Sequence, residues 1–185
     1  MEETAGAKDS YLEGRRLEAL ARKQNFPGAW RAFAALKAAK GSYALAAMGC
    51  LNEGTLAEAG GDKAQAAAAY GRGLAVCVKG GLKETALILV SRLAAMLERA
   101  SDFSGAAAAY ESFGSFCENA GAFFLAADAC EHAAELRRAA GEDLSSYRKP
   151  AELWLLNADY WKGKNAGDEA WSRRRAELYL EAIKK

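Results

Sequence analysis

Ala66-Ala67-Ala68-Ala69-Tyr70 and Ala106-Ala107-Ala108-Ala109-Tyr110 are the same five residues set forty positions apart, and that spacing decides the fold. Working outward, Asp62 recurs as Asp102, Cys77 as Cys117, and Gly41 as Gly81 and Gly121. Trp30 stands one period before Tyr70. Cys50, Val90 and Cys130 fall in register, as do Gly14, Gly54, Ala94 and Ala134. A constant period of this length marks a stacked-repeat protein, in which each unit buries its apolar stripe only against its neighbours. The product of such a chain is a surface rather than a reaction.

Composition agrees with helices. Hydrophobic residues make up 51% of the 185, Ala dominates them, and two prolines leave long stretches unbroken. Ala has the highest helix propensity, so the expected fold is all-α. In the second unit, residues 43–59 carry small and apolar side chains at three- and four-residue steps, and Gly60-Gly61 stops that helix. Asp62, with Gln65 three residues on, is placed to cap the next helix, which ends at Gly80-Gly81. The third unit repeats the plan over 82–100 and 104–119. The first is expected at 7–22 and 27–40, with Asn25 as cap and Pro27 in the first turn. The fourth begins at 123–140, then departs. A polar link over 141–149 leads to a helix opened by Pro150 and running to 161, and a last helix covers 168–184. The reading is one helical-repeat domain over 1–185, with units at about 2–41, 42–81, 82–121 and 122–161 and a capping helix at 168–184.

Charge narrows the partner. Lys and Arg number 25 against 24 Asp and Glu. Phosphate binding needs a concentrated basic surface, so nucleic acid is not the expected ligand. Arg173-Arg174-Arg175 reads as a solvated helix face, with a phosphate or headgroup site as its alternative. No secretory signal follows Met1-Glu2-Glu3-Thr4, and no segment reaches the ~20 apolar residues that span a bilayer. A cytoplasmic protein without stable membrane insertion is expected.

At the small, aromatic and capping positions the units resemble tetratricopeptide repeats. Gly54 and Ala94 stand where that family has a small residue midway along its first helix, and Gly61-Asp62 matches its turn. Ala66, Tyr70 and Gly73 match the second helix. In unit three Ala106 and Tyr110 are kept, but Phe113 stands at the second small position, with Gly114 one place later. The usual closing proline is absent. The forty-residue length is similar to the repeats of soluble NSF-attachment proteins, kinesin light chains and the forty-kilodalton huntingtin-associated protein. The match covers about residues 5–142. It implies a right-handed superhelical stack of helix-turn-helix units whose first helices line a concave groove. On that basis the partner-binding candidates are Tyr11, Arg15, Asn52, Arg92, Glu131, His132 and Glu135, beside Leu51, Thr55, Ser91 and Ala95. Asn52 and Arg92 also fall on two of five positions of the family's carboxylate clamp. The other three carry Tyr11, Arg15 and Ile88, so a chaperone-tail clamp is not expected.

Chemistry is sparse. Cys50, Cys77, Cys117 and Cys130 show no CxxC spacing and read as buried, reduced packing residues rather than metal ligands. His132 lacks both a second histidine for a metal pair and a nucleophile to serve, so no enzyme, metal or cofactor is expected. Trp154, Tyr160, Trp161, Trp171 and Tyr179 have two readings, an internal hydrophobic cap or a partner contact. The functional expectation is a protein-binding scaffold or adaptor. Its rivals are a structural subunit of a larger assembly and an adaptor in vesicle fusion.

Overall fold

A computed structural model describes residues 15–16, 18–19, 21, 23, 26–142 and 144–184. Tyr11 and the expected cap Asn25 lie outside the described residues. Described residues before Phe26 are helical, and eight complete α-helices follow: α1 (Pro27–Ala39), α2 (Tyr43–Ala59), α3 (Lys63–Gly80), α4 (Lys83–Glu98), α5 (Phe103–Asn119), α6 (Phe123–Ala139), α7 (Arg148–Trp161) and α8 (Ala166–Ile183). A 3-10 turn, Leu144–Tyr147, precedes α7. It occupies the stretch expected as a polar link, and α7 starts before Pro150 rather than after it. The chain divides into two compact units, residues 1–96 and 97–185.

The joints explain the period. Gly41, Gly61, Gly81, Ser101, Gly121 and Gly141 all have positive φ, between 60° and 86°. They fall every twenty residues. At each one the following N–H donates to the carbonyl five residues back: Ser42 to Lys37, Asp62 to Ala57, Leu82 to Cys77, Asp102 to Leu97, Ala122 to Cys117 and Glu142 to Arg137, all at 2.8–3.0 Å. This is the Schellman closure, which satisfies a terminal carbonyl while reversing the chain. The forty-residue repeat is thus two equal halves with one turn design. Asp62 and Asp102 cap the next helices as expected, accepting from the N–H groups of Gln65 at 2.9 Å and Gly105 at 2.8 Å. Helix α1 instead has Phe26 at its N-cap, with no side-chain bond.

In the first unit α2 packs against both α1 and α3. Trp30, Phe33, Ala46, Ala47, Cys50, Tyr70 and Leu89 are buried between them and α4. Glycine lets the backbones close up: a Cβ on Gly73 would lie 2.9 Å from Leu89 and 3.0 Å from Cys50, and one on Gly54 would enter the Tyr70 ring. In the second unit α6 packs against α5 and α7, and α7 against α8. Phe113 is fully buried there, and the close approach passes to Gly114, where a Cβ would meet the Cys130 sulfur at 2.9 Å. The one-place shift seen in the sequence keeps the approach and adds a core aromatic.

Candidate functional site

The second helix of unit 1, α2, and the fourth, α4, carry Asn52 and Arg92. Asn52 is half-buried and Arg92 exposed; Arg15 is exposed as well. The Arg92 guanidinium stands 3.5 Å from Glu58, which also accepts from the Tyr70 hydroxyl at 3.0 Å. Burial raises the Tyr70 pKa, and the Glu58 carboxylate adds to that. Thr55 and Ser91 turn their hydroxyls onto their own helix, donating to the carbonyls of Leu51 and Leu87 at 2.9 Å.

In unit 2 the acidic candidates hold the chain's own C-terminal helices. Trp154 donates its indole N–H to Glu131 at 2.9 Å, and Arg175 forms an ion pair with the same carboxylate. Tyr147 donates to Glu135 at 3.0 Å, and Arg138 pairs with Glu135 at 2.9 Å. His132 stacks on Tyr110 at 5.1 Å between ring centroids, with Asp128 at 3.9 Å. The sequence held only half of this signal: α6 offers carboxylates four residues apart on one face, but the burial of Trp154 that demands an acceptor is set by the tertiary structure. Arg173, too, is engaged, with Asp159 at 3.4 Å and Glu169 at 3.2 Å.

The aromatic tail divides between its two readings. Trp154 is buried, packed edge-on against Trp171 at 4.9 Å and Phe124 at 5.5 Å. Trp171 stacks on Phe124 yet stays 46% exposed, with Phe124 48% and Tyr160 49% exposed. A cleft of about 340 Å³ lies among Phe123, Phe124, Tyr160, Trp161 and Trp171. The inner indole is a cap; the outer rings face solvent.

Glu53 was not singled out from the sequence. Its side chain is fully buried and bridged by Arg31 and Arg72, each at 2.7 Å, so one carboxylate joins α1, α2 and α3. A charge is retained in such a place only when its lone pairs are satisfied. A lone Glu between Asn52 and Gly54 gives no hint of guanidinium partners about twenty residues away on each side.

All four cysteines are free and buried. Burial pushes the thiols of Cys50, Cys77 and Cys130 up to about 11, which keeps them protonated and unreactive near neutrality. Among the described residues no three His, Cys, Asp or Glu side chains gather into a metal-holding group. No described helix is long and apolar enough to cross a membrane.

No protein-family model matches the chain, and no curated protein is significantly similar to it. Among solved structures, the crystal structure of BtubC (BKLC) from P. vanneervenii aligns with 97% of this chain and 90% of its own. The identity is 15% and the TM-score 0.32, too remote a likeness to carry function. The fold itself is all-helical, built of paired-helix repeats.

Proposed function

We propose that this chain is a non-catalytic, cytoplasmic scaffold that holds a partner protein segment on the faces of α2 and α4, with Asn52 and Arg92 as its central contacts. Arg15, exposed ahead of α1, is a further candidate contact within the first unit; on the second unit, taken by itself, His132 offers an exposed ring. The observation that carries the reading is the paired-helix repeat itself, which presents long helix faces to solvent. Arg92 supports the choice of contact. It is exposed, and its 3.5 Å pairing with Glu58 is long enough for a partner's carboxylate to compete with. Glu131 and Glu135 are engaged within the second unit by Trp154, Arg175, Tyr147 and Arg138 and are not proposed as partner contacts.

A second reading has its own observation. Phe124, Tyr160 and Trp171 form a half-exposed aromatic surface on unit 2, the kind of patch that anchors a permanent neighbour in a larger assembly. One experiment separates the two. The tagged protein is used to recover its partner, which is then measured against Asn52→Ala/Arg92→Ala and against Trp171→Ala. The scaffold reading expects the double variant to weaken binding by about 1.5–3 kcal/mol, as loss of a charge-assisted contact does, with melting unchanged. A silent double variant together with lost assembly in Trp171→Ala transfers the function to the aromatic surface.

A further inference from the structure

The first unit contains a groove that neither reading uses. It runs between α1 and α3, with Ala35 and Ala38 on one wall, Ala75 and Val76 on the other, and buried Cys50 as its floor. Its volume is about 350 Å³, room for one or two aliphatic side chains. The alanines leave it open, because side chains this short cannot meet across two helices.

Its electrostatics are one-sided. Helix α1 carries Arg31 and Lys37, helix α3 carries Lys63, Arg72 and Lys79, and neither contains an acidic residue. In a chain of net charge +1 that segregation is unusual. Arg31 and Arg72 stand at the groove itself. Both share the one carboxylate of Glu53, through one nitrogen each, while their side chains remain 53% and 44% exposed. Two guanidinium groups against one buried carboxylate leave a net positive charge at the rim, held in place and turned partly to solvent.

The equivalent groove two periods on is built differently. Glu111 stands for Arg31 there and Ser115 for Ala35, above Cys130 in place of Cys50. Glu111 is held bidentately by Arg137 at 2.9 Å, and Lys149 pairs with Glu118 at 2.8 Å. Ser145, Ser146 and Pro150 line its other side. At that site Glu111 and Lys149 are both paired within the chain. The α1–α3 groove is apolar and has charge to spare.

We infer that the α1–α3 groove is a docking site for an acidic amphipathic segment of a partner protein, its aliphatic side chains seated between the alanines and its Asp or Glu residues facing Arg31 and Arg72. The mode is a helix laid into a groove, read by apolar anchors at three- and four-residue steps. A carboxylate beside those anchors would find guanidinium groups that Glu53 has already oriented, so little ordering remains to be done on binding. The inference shares with the scaffold reading only that the partner is a protein, and it places the contact on different helices.

The test uses the full chain and a labelled helical peptide of about sixteen residues, leucines on one face and glutamates on the other, with a glutamine-for-glutamate counterpart. The glutamate peptide is expected to bind, and the glutamine peptide to bind at least tenfold more weakly. Ala35→Gln/Ala75→Gln, at two exposed positions and adding no charge that would draw Arg31 or Arg72 from Glu53, fills the groove and is expected to weaken the glutamate peptide at least tenfold with unchanged melting. Lys79→Glu is a second, milder variant and is expected to weaken it in the same direction. Asn52→Ala/Arg92→Ala is expected to bind the peptide as the wild type does. Absence of peptide binding, equal binding of both peptides, or indifference to the groove variants overturns the inference. So does tighter retention on phosphatidylserine vesicles or single-stranded DNA that the same variants abolish, since the cationic helices would then serve a polyanion. Capture of a partner that depends on Asn52 and Arg92 while the peptide is ignored retires the groove and leaves the scaffold reading standing.

Discussion

At the scale of the residue, Glu53 is the buried charge among the described residues, and it carries a large electrostatic risk. A buried carboxylate deprived of its partners costs about 3–5 kcal/mol, far more than an exposed pair contributes. Arg31→Gln/Arg72→Gln is therefore expected to destabilise by about 3 kcal/mol in urea unfolding. Adding Glu53→Gln to that variant removes the stranded charge and is expected to restore a good part of the loss. A triple variant less stable than the double would mean that the carboxylate does not depend on the two cations. The thiols make a different prediction. In Cys50, Cys77 and Cys130 the pKa rises from an ordinary 9.0 to about 11 on folding. A group whose folded pKa is raised contributes stability that is intact below its unfolded pKa and lost as pH climbs toward the folded one. The urea midpoint is thus expected to hold below pH 9 and to fall between pH 9 and 11, with Cys50→Ala/Cys77→Ala/Cys130→Ala falling less steeply. Raised pKa values at Tyr70, Tyr147 and Tyr179 act in the same sense, so the slope should not vanish.

At the scale of the element, the joint every twenty residues is the governing device, and one joint departs from it. Ser101 holds φ at 60° where the other five positions are glycine. A left-handed conformation costs a residue with a Cβ roughly 1–2 kcal/mol, and glycine recovers part of that after its greater unfolded-state entropy is counted. Ser101→Gly is expected to stabilise by about 0.5–1 kcal/mol. The reverse change at an equivalent joint, Gly121→Val, is expected to destabilise by about 1 kcal/mol or more, since a β-branched residue suits φ of 68° poorly. Paired urea titrations decide the matter. Equal midpoints for both variants and the wild type would show that the joints tolerate any residue and that the register rests on packing alone.

At the scale of the whole molecule, the C-terminal stretch is bound into its unit rather than appended to it. Tyr147, Trp154 and Arg175 reach back to Glu135 and Glu131 on α6, and Asn157 donates to Ser172 at 2.8 Å within the buried seam of α7 and α8. A chain ended after Glu142 strips both α6 carboxylates of these partners and uncovers the apolar face that α7 buries. It is expected to lose cooperative melting of residues 97–142 or to elute as aggregate, by calorimetry and size-exclusion chromatography. Monomeric, cooperative melting of that truncated chain would recast α7 and α8 as an independent attachment.

Much of this was legible in the sequence because it rests on local chemistry. The helix starts at Asp62 and Asp102, the stops at Gly81 and Gly121 and the small residue at Gly54 act within one or two turns of themselves. A period of forty repeats such local events, so the paired helices could be read from spacing. The half-period escaped because Ser101, at φ 60°, breaks the glycine series. Pairings between helices were not legible. Whether Glu131 faces solvent or the Trp154 indole, and whether Glu53 meets one cation or two, depends on side chains twenty or more residues apart meeting in space. Sequence alone determined which residues turn the chain and which faces are apolar. Only the tertiary structure decided which charges are spent inside and which are left facing solvent, because that depends on distance and burial rather than on order along the chain.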